Sequence, residues 1–327
     1  MTRKKQKDFI INKKKIEPGA NELIKLNVAR LPSGNVINIR IHVYRSENPG
    51  PTMLILGGVH GDEINGVEIV RRSIDSKLFE GIKAGSVIAI PLLNIYGFIN
   101  FSRDTADGKD VNRNFPGSKS GSLASRVAYN LTKEVLPLID FGIDYHTGGS
   151  SRYNYPQIRF SVGDSQAEKL AKQFAAPYLI RKNNIPKSLR KVSSGMGTPI
   201  IVFEGGESLR YDGFSIDNGL AGLKRVMHAQ GMIEHSVNPV RRTILFDRTS
   251  WVRAEQAGMF MWTQQSGAKV SKGELLGVIN DPHGHAEIPV FSSRNGYIIG
   301  HNNAPVISAG DALFHIGYEY ELLSEPS

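Results

Sequence analysis

The chain has 327 residues, with 40% hydrophobic and 22% charged residues, a formal net charge of +9 and no cysteine. This composition indicates a globular protein, at this length of about two domains, and excludes a wholly disordered, collagen-like or coiled-coil chain. Without cysteine the chain cannot use disulfides, thiol nucleophiles or sulfur-ligated metals, so any metal must be held by His, Asp or Glu.

The positive charge is concentrated at the N-terminus. Residues 1–15 contain seven Lys or Arg residues and one acidic residue, Asp8, and so carry +6 of the net charge. Such a run can bind nucleic acid or an acidic membrane surface, but it contains the single aromatic residue Phe9 and no regular aromatic interleaving, and we interpret residues 1–18 as a solvated, disordered arm. No apolar core follows the charges, and the most apolar stretch, residues 87–99, is too short to cross a bilayer. We therefore expect a cytoplasmic protein that binds neither nucleic acid nor a membrane.

Residues 19–239 alternate between predicted strands and helices. Short apolar runs or alternating apolar residues predict strands, and apolar residues at helical spacing predict helices. The predicted strands are residues 36–43, 53–56, 86–93, 141–145 and 199–203, and the predicted helices are residues 64–79, 122–139, 165–179 and 218–233. Alternating strands and helices are typical of an α/β domain with a mostly parallel, mixed sheet flanked by helices.

Residues 240–327 differ from the rest, with short predicted strands, many glycines and no predicted helix. Residues 273–279 and 310–316 share the pattern Gly, acid, any, Leu, any, any, Ile. We predict a small all-β sandwich or barrel of two similar halves, which resembles biotinyl/lipoyl carrier domains. A chance repeat in glycine-rich β sequence is the alternative. Residues 281–287, between the halves, contain no lysine to carry a cofactor, so a carrier function is not expected.

Two predicted strands end beside histidines. His60 and Glu63 follow the strand 53–56, and His146 follows the strand 141–145. Functional groups gather at the carboxyl ends of strands in open α/β sheets. Two histidines and one carboxylate with an open position form a catalytic zinc site, so His60, Glu63 and His146 are candidate ligands. The alternative is that each is a structural or surface residue.

A loop rich in Gly, Pro, Asn and Asp carries the next candidates. It contains Arg103 and the sequence Asp110-Val111-Asn112-Arg113-Asn114-Phe115-Pro116-Gly117. The planar fork of arginine fits a carboxylate, and asparagine adds neutral donors. The alternative is a solvated loop held by local Asp–Arg pairs.

A carboxylate directly follows the apolar strand 199–203. Because an unpaired carboxylate is costly in an apolar core, we expect Glu204 to project into the cleft at the strand end. A glutamate beside a metal-activated water can take its proton and pass it to a leaving amine. Glu207 is an alternative for this role, and Glu204 is preferred because it directly follows the strand.

The chain contains, in this order, the motifs H-x-x-E, Arg, D-x-N-R-x-F-P-G, His after a strand and Glu after a strand. This arrangement resembles the succinylglutamate desuccinylase/aspartoacylase family, which belongs to the zinc carboxypeptidase superfamily. The resemblance covers residues 30–235, and the β region after residue 240 is similar to that of bacterial members. It implies a zinc carboxypeptidase-like fold and one zinc ion per chain, held by His60, Glu63 and His146.

The resemblance also implies a role for each remaining candidate. Glu204 is similar to the general base and acid, and Arg103 to the arginine that polarises the scissile carbonyl. Asn112 and Arg113 resemble the clamp on a substrate carboxylate. Asp110 resembles the acid that orients the first zinc-binding histidine.

The implied activity is zinc-dependent hydrolysis of an amide bond in a small carboxylate-bearing substrate, as in an N-acyl amino acid deacylase. Three alternatives remain at this stage: a zinc carboxypeptidase acting on small peptides, a non-catalytic metal- or ligand-binding protein with the same fold, and a carrier or interaction protein built around the β region. The sequence does not identify the acyl group or the amine of the substrate. It does not identify the oligomeric state either, and a homo-oligomer is one of the alternatives.

Overall fold

The computed structural model describes residues 9–30, 34–239 and 242–323. The α-helices are α1 (Ile64–Asp75), α2 (Ile95–Ile99), α3 (Leu123–Glu134), α4 (Ser165–Phe174), α5 (Leu189–Gly195) and α6 (Gly213–Ala229), with short 3-10 helices at Val111–Arg113 and Leu136–Leu138. The strands are β1 (Ile10–Ile11), β2 (Lys14–Lys15), β3 (Asn21–Arg30), β4 (Val36–Arg45), β5 (Thr52–Leu56), β6 (Ser86–Ile90), β7 (Phe141–Gly148), β8 (Arg152–Ser161), β9 (Tyr178–Lys182), β10 (Ile200–Glu207), β11 (Ile244–Arg253), β12 (Gly258–Trp262), β13 (Lys269–Val270), β14 (Leu275–Asn280), β15 (Glu287–Phe291), β16 (Gly296–Asn302), β17 (Val306–Ile307) and β18 (Ala312–Leu322). None of the helices in these ranges is long and apolar enough to cross a membrane.

A large mixed sheet forms the centre of the molecule, in the order β3-β4-β6-β5-β7-β10-β8-β9-β11-β18-β16-β13. The block β6-β5-β7-β10 is parallel, and β5, β6 and β7 are buried along their whole length. The predicted α/β class with a mixed sheet is confirmed. The sheet is less parallel than predicted, because β3, β4 and β8 pair antiparallel with their neighbours around this block.

Helices cover the parallel block on both faces, as expected for strands buried on both sides. Apolar side chains of α1, α4 and α6 fill the core on one face. On the other face α3 packs with the N-terminal segment over β3 and β4. This arrangement leaves the carboxyl ends of β5, β7 and β10 open at one edge of the sheet, where a site can form.

Most predicted elements are present with shifted ends, and one prediction is wrong at its end. The helix predicted over residues 165–179 stops at Phe174, Ala175 adopts a left-handed φ of 51°, and β9 begins at Tyr178. Pro177 disfavours the helical conformation for the residue before it, which explains the early end. Strand β8 is not expected from the sequence, because Pro156 and a mixed polar pattern interrupt its strand signal.

The prediction of a disordered arm at residues 1–18 is wrong for its second half. Residues 1–8 lie outside the described residues, but β1 and β2 form an antiparallel pair. Phe9, Ile11 and Ile16 are buried in the core beside α3. The lysines between them face outward, so the charge count concealed a small apolar face.

The C-terminal region closes part of the sheet into a barrel. Strands β8, β9, β11, β18 and β16 pair in that order, and β16 pairs back onto β8. Strands β15, β14, β12 and β17 form a second sheet, which shares an apolar core with buried residues of β13, β16 and β18. The described residues 242–323 contain strands and no helix. The domain boundary at residue 239 and the resemblance to carrier domains stay predictions.

The burial of Ile11 in the hairpin of β1 and β2 leads to a prediction about stability. Ile11→Ala should lower the free energy of unfolding by about 2–5 kcal/mol, because it leaves a cavity in the core. Ile10→Ala is the matched control, since Ile10 is 45% exposed whereas Ile11 is fully buried. Urea denaturation measures both variants. Equal, negligible losses would show that this segment does not pack on the core.

Candidate active site

His60 and Glu63 lie in the turn between β5 and α1, at the carboxyl edge of the sheet. This turn packs tightly on α2: a Cβ at Gly61 would lie 2.0 Å from the backbone carbonyl carbon of Gly97, so no side chain fits there. His146 lies on β7, which is parallel to β5 and directly adjacent to it. Adjacent parallel strands thus bring the two histidines to one point.

The three candidate ligands converge on one small volume. The Nδ1 atom of His60 is 2.8 Å from Oε1 of Glu63, and the Nδ1 atom of His146 is 2.7 Å from Oε2. The two Nδ1 atoms are 3.1 Å apart. All three side chains are buried, and their ligand atoms lie within 4.8 Å of one another. This donor set, two imidazole nitrogens and one carboxylate, fits a zinc ion.

A carboxylate lies behind each imidazole. The Nε2 atom of His60 is 3.1 Å from Oδ1 of Asp110, and the Nε2 atom of His146 is 2.9 Å from Oδ2 of Asp144. Such carboxylates fix the ring orientation and keep the proton away from the nitrogen that faces the metal. Asp144 was missed by the sequence analysis. Its signal is the D-x-H spacing, because residues two apart on a strand share a face.

Burial and charge set the protonation of this group. Burial raises the pKa of a carboxylate, but His60 and His146 outweigh it and hold the pKa of Glu63 well below its usual range. Burial also disfavours a charged imidazole, yet the neighbouring carboxylates raise the pKa of both histidines. The buried charges therefore compensate one another, which makes the cluster tolerable in the interior.

Arg103 spans the candidate ligands and Asp110. Its Nη1 lies 3.1 Å from both Oε1 of Glu63 and Nδ1 of His60, and its Nη2 donates to Oδ2 of Asp110 at 2.9 Å. Burial disfavours the charged guanidinium, but Glu63 and Asp110 raise its pKa overall. More than a third of the side chain remains exposed. A fixed cation is thus accessible beside the ligands.

Asn112 and Arg113 lie in the 3-10 helix next to Asp110. The Oδ1 atom of Asn112 accepts from the backbone of Leu189 at 2.9 Å, which ties the loop to the start of α5. Nη1 of Arg113 donates to the carbonyl of Asn112 at 2.7 Å and lies 3.9 Å from Asp110. Both side chains border the same cavity as the candidate ligands.

The two candidate glutamates on β10 have different surroundings. Glu204 is the Cα partner of His146 in the parallel pair of β10 and β7, and it lines the cavity. Glu207 is buried and accepts from Nδ2 of Asn303 at 2.6 Å, and it is absent from the cavity lining. The structure therefore brings Glu204, and not Glu207, to the candidate ligands.

The cavity has a volume of about 400 Å³ and is rich in arginine. Its lining also includes side chains that were not singled out from the sequence, among them Arg152, Asn154, Arg159, Arg190 and Trp251. Burial, and then the charge of Arg159, lower the pKa of Arg190 to about 10. Trp251 comes from β11 and stacks on the buried His315 at 4.3 Å. The barrel thus supplies one wall of the cavity.

A family model described as the succinylglutamate desuccinylase/aspartoacylase catalytic domain matches residues 49–230. The chain belongs to this family. It is 26% identical to an N-alpha-acetyl-L-2,4-diaminobutyric acid deacetylase of Halomonas elongata, with 84% of each chain covered. A succinylglutamate desuccinylase/aspartoacylase structure from Rhodobacter sphaeroides has a TM-score of 0.82 at 24% identity, covering 94% of this chain and 96% of that one.

A second related structure is the product-bound ectoine utilization protein EutE of Ruegeria pomeroyi. It has a TM-score of 0.81 at 24% identity and covers 91% of this chain and 94% of its own. At this identity the likeness shows a shared fold. Both alignments extend well past residue 230, so the C-terminal strands belong to the shared architecture.

The convergent ligand set predicts metal binding. The purified protein should hold about one zinc per chain, and His60→Ala should lose most of it, because only two ligands remain. His283→Ala is the control, since His283 lies on an exposed turn. Elemental analysis measures the zinc. Unchanged zinc in His60→Ala, or zinc lost only in the control, would refute the assignment.

The carboxylate behind His146 makes a separate prediction. Asp144→Asn keeps the size of the side chain but removes its charge, and it should weaken zinc affinity about 10–100-fold. Asp75→Asn on the exposed face of α1 is the control. Competition with a zinc-binding dye measures the affinity, and equal affinities in the two variants would assign Asp144 a purely structural role.

Proposed function

We propose that the protein is a zinc-dependent hydrolase that cleaves the amide bond of an N-acyl amino acid or a similar N-acyl amine. One observation carries the proposal: Glu204 lies beside His146 in the same cavity as the buried set of His60, Glu63 and His146. Membership of a deacylase family and similarity to a diaminobutyric acid deacetylase support it.

His60, Glu63 and His146 would hold one zinc ion per chain. Zinc supplies a Lewis acid that polarises a carbonyl and lowers the pKa of water. The protein side chains supply the remaining chemistry. Asp110 and Asp144 hold the imidazoles of the two histidines in the orientation that the ligand set requires.

Glu204 acts first as a base and then as an acid. Its carboxylate takes a proton from the attacking water and then gives it to the nitrogen of the leaving amine. Arg103 donates to the carbonyl oxygen of the substrate and stabilises the negative charge that develops there. The exposed part of the Arg103 guanidinium makes this contact possible, since its other donors remain on Asp110.

Asn112 and Arg113 bind a carboxylate of the substrate. Arg113 has a partly exposed guanidinium at the cavity wall, and the link from Asn112 to α5 holds this loop in place. A fixed carboxylate keeps the scissile bond in register with Glu204, and such orientation contributes strongly to rate.

Small substrates are favoured over extended peptides. A cavity of about 400 Å³, with Trp251 of the barrel in its wall, has the size of a small-molecule site. This observation weighs against the carboxypeptidase alternative. The position of Glu204 argues against a purely binding function, because a metal- or ligand-binding site does not need a further carboxylate next to the ligand set.

Replacement of Glu204 separates an enzyme from a binding protein. Glu204→Gln keeps the size of the side chain but removes the oxygen that accepts the proton, so kcat should fall about 10²–10⁴-fold while zinc stays bound. Glu207→Gln is the matched control on the same strand and should keep its kcat. Steady-state kinetics on an N-acyl amino acid measures both. A defect in the control alone would show that the wrong carboxylate has been chosen.

Replacement of Arg113 tests the substrate clamp. Arg113→Ala should raise KM for a carboxylate-bearing substrate, with about 2–4 kcal/mol of binding lost. The corresponding substrate with a neutral carboxamide serves as the comparison and should be little affected. Equal losses on the two substrates would mean that Arg113 supports the loop instead of binding the carboxylate.

A further inference from the structure

Both oxygens of Glu204 are held by side chains of one neighbouring strand. Nη1 of Arg159 lies 2.8 Å from Oε1 of Glu204, and Nδ2 of Asn154 donates to Oε2 at 2.8 Å. Both donors belong to β8, the antiparallel neighbour of β10. A carboxylate has about four acceptor sites, so these two contacts leave one on each oxygen free for a proton.

An irregular strand register makes this double contact possible. Arg159 and Asn154 are five residues apart, and in a regular strand residues at an odd spacing point to opposite faces. The pairing of β8 with β10 shifts between Glu204 and Gly206, so that Asn154 pairs with Gly206 while Arg159 pairs with Val202. A shift of this kind re-aims side chains and is common beside active sites.

Arg159 is set among like charges. Its charge lowers the pKa of Lys182 and of Arg190, in both cases after the larger effect of burial. Among the described residues, Glu204 is the carboxylate that lies within ion-pair distance of Arg159. The Nε atom of Arg159 is buried without a hydrogen-bond partner. The pair with Glu204 therefore keeps this cation in place.

We propose that Arg159 is a positioning residue that, together with Asn154, fixes the carboxylate of Glu204 for proton transfer. This inference rests on the proposed function, in which Glu204 is the base. A glutamate side chain has three rotatable torsions, and a base must lie within hydrogen-bond reach of the proton that it takes. The two contacts hold one side of each carboxylate oxygen, and the remaining acceptor sites serve water and the leaving amine.

Arg159→Gln tests the inference directly. It removes the guanidinium and should lower kcat about 10–100-fold, as expected for a misplaced catalytic group, with KM within about threefold of the parent. Zinc content should be unchanged, and Arg159→Lys should recover part of the loss. A crystal structure of the glutamine variant should show the Glu204 carboxylate turned from its place on an unchanged backbone.

A double-mutant cycle tests whether Arg159 acts through Glu204. In the Glu204→Gln background, Arg159→Gln should cause no further loss of kcat, because the residue that it positions is already disabled. Lys182→Met is the matched control, since Lys182 is a nearby cation on β9 whose Nζ contacts Thr249 and not Glu204. It should keep the parental kcat.

Three results would overturn the inference: a parental kcat in Arg159→Gln, a raised KM at constant kcat, or additive losses in the cycle. If the glutamine variant does not fold, Asn154→Leu removes the other donor and carries the same test. The inference and the proposed function fail separately. An active Glu204→Gln refutes the base itself, whereas an inactive Glu204→Gln beside a normal Arg159→Gln refutes only the positioning.

Discussion

The burial of Glu63 between two imidazoles is the interaction on which the site depends. A carboxylate removed from water is costly unless it is paired, and here His60 and His146 lie 2.8 and 2.7 Å from its two oxygens. Each imidazole is supported in turn by an aspartate on its outer side. The cluster forms only if β5 and β7 are neighbours, so the strand order of the sheet determines the geometry of the three candidate ligands.

A second constraint comes from the barrel. β8 carries Asn154 and Arg159, and it is held on one side by β10 and on the other by β9, with β16 pairing at its start. The C-terminal strands therefore contribute to the site in two ways. They fix the strand that contacts Glu204 and place Trp251 in the cavity wall. This coupling links the C-terminal region to the proposed chemistry through main-chain hydrogen bonds.

The parts of the structure that could be predicted from the sequence are those that depend on short stretches of neighbouring residues. His60 and Glu63 follow a short apolar strand and two glycines, and His146 follows another, so their convergence at one sheet edge could be expected. The N-terminal hairpin was missed because lysines separate Ile11 and Ile16, and the charge dominated the pattern. The first two residues of β9, Tyr178 and Leu179, were taken for the end of the helix that begins at Ser165.

The contacts of Glu204 could not be predicted, because they depend on a register shift and on pairing between distant segments. No local pattern in the sequence near Pro156 indicates that Asn154 and Arg159 both contact the carboxylate of Glu204. Trp251 reaches the cavity only through barrel closure, since it lies 105 residues after His146 and 191 residues after His60 along the chain. Long-range pairing of this kind leaves no periodic signal in either partner segment.

The most direct measurement is amine release from a panel of N-acyl amino acids and short peptides by the zinc-loaded protein. We predict release of free amine from one or more small N-acyl amino acids, at rates above those for peptides. A chelator should abolish this activity, and added zinc should restore it. Absence of amine release across the whole panel, from protein that holds one zinc per chain, would contradict the account.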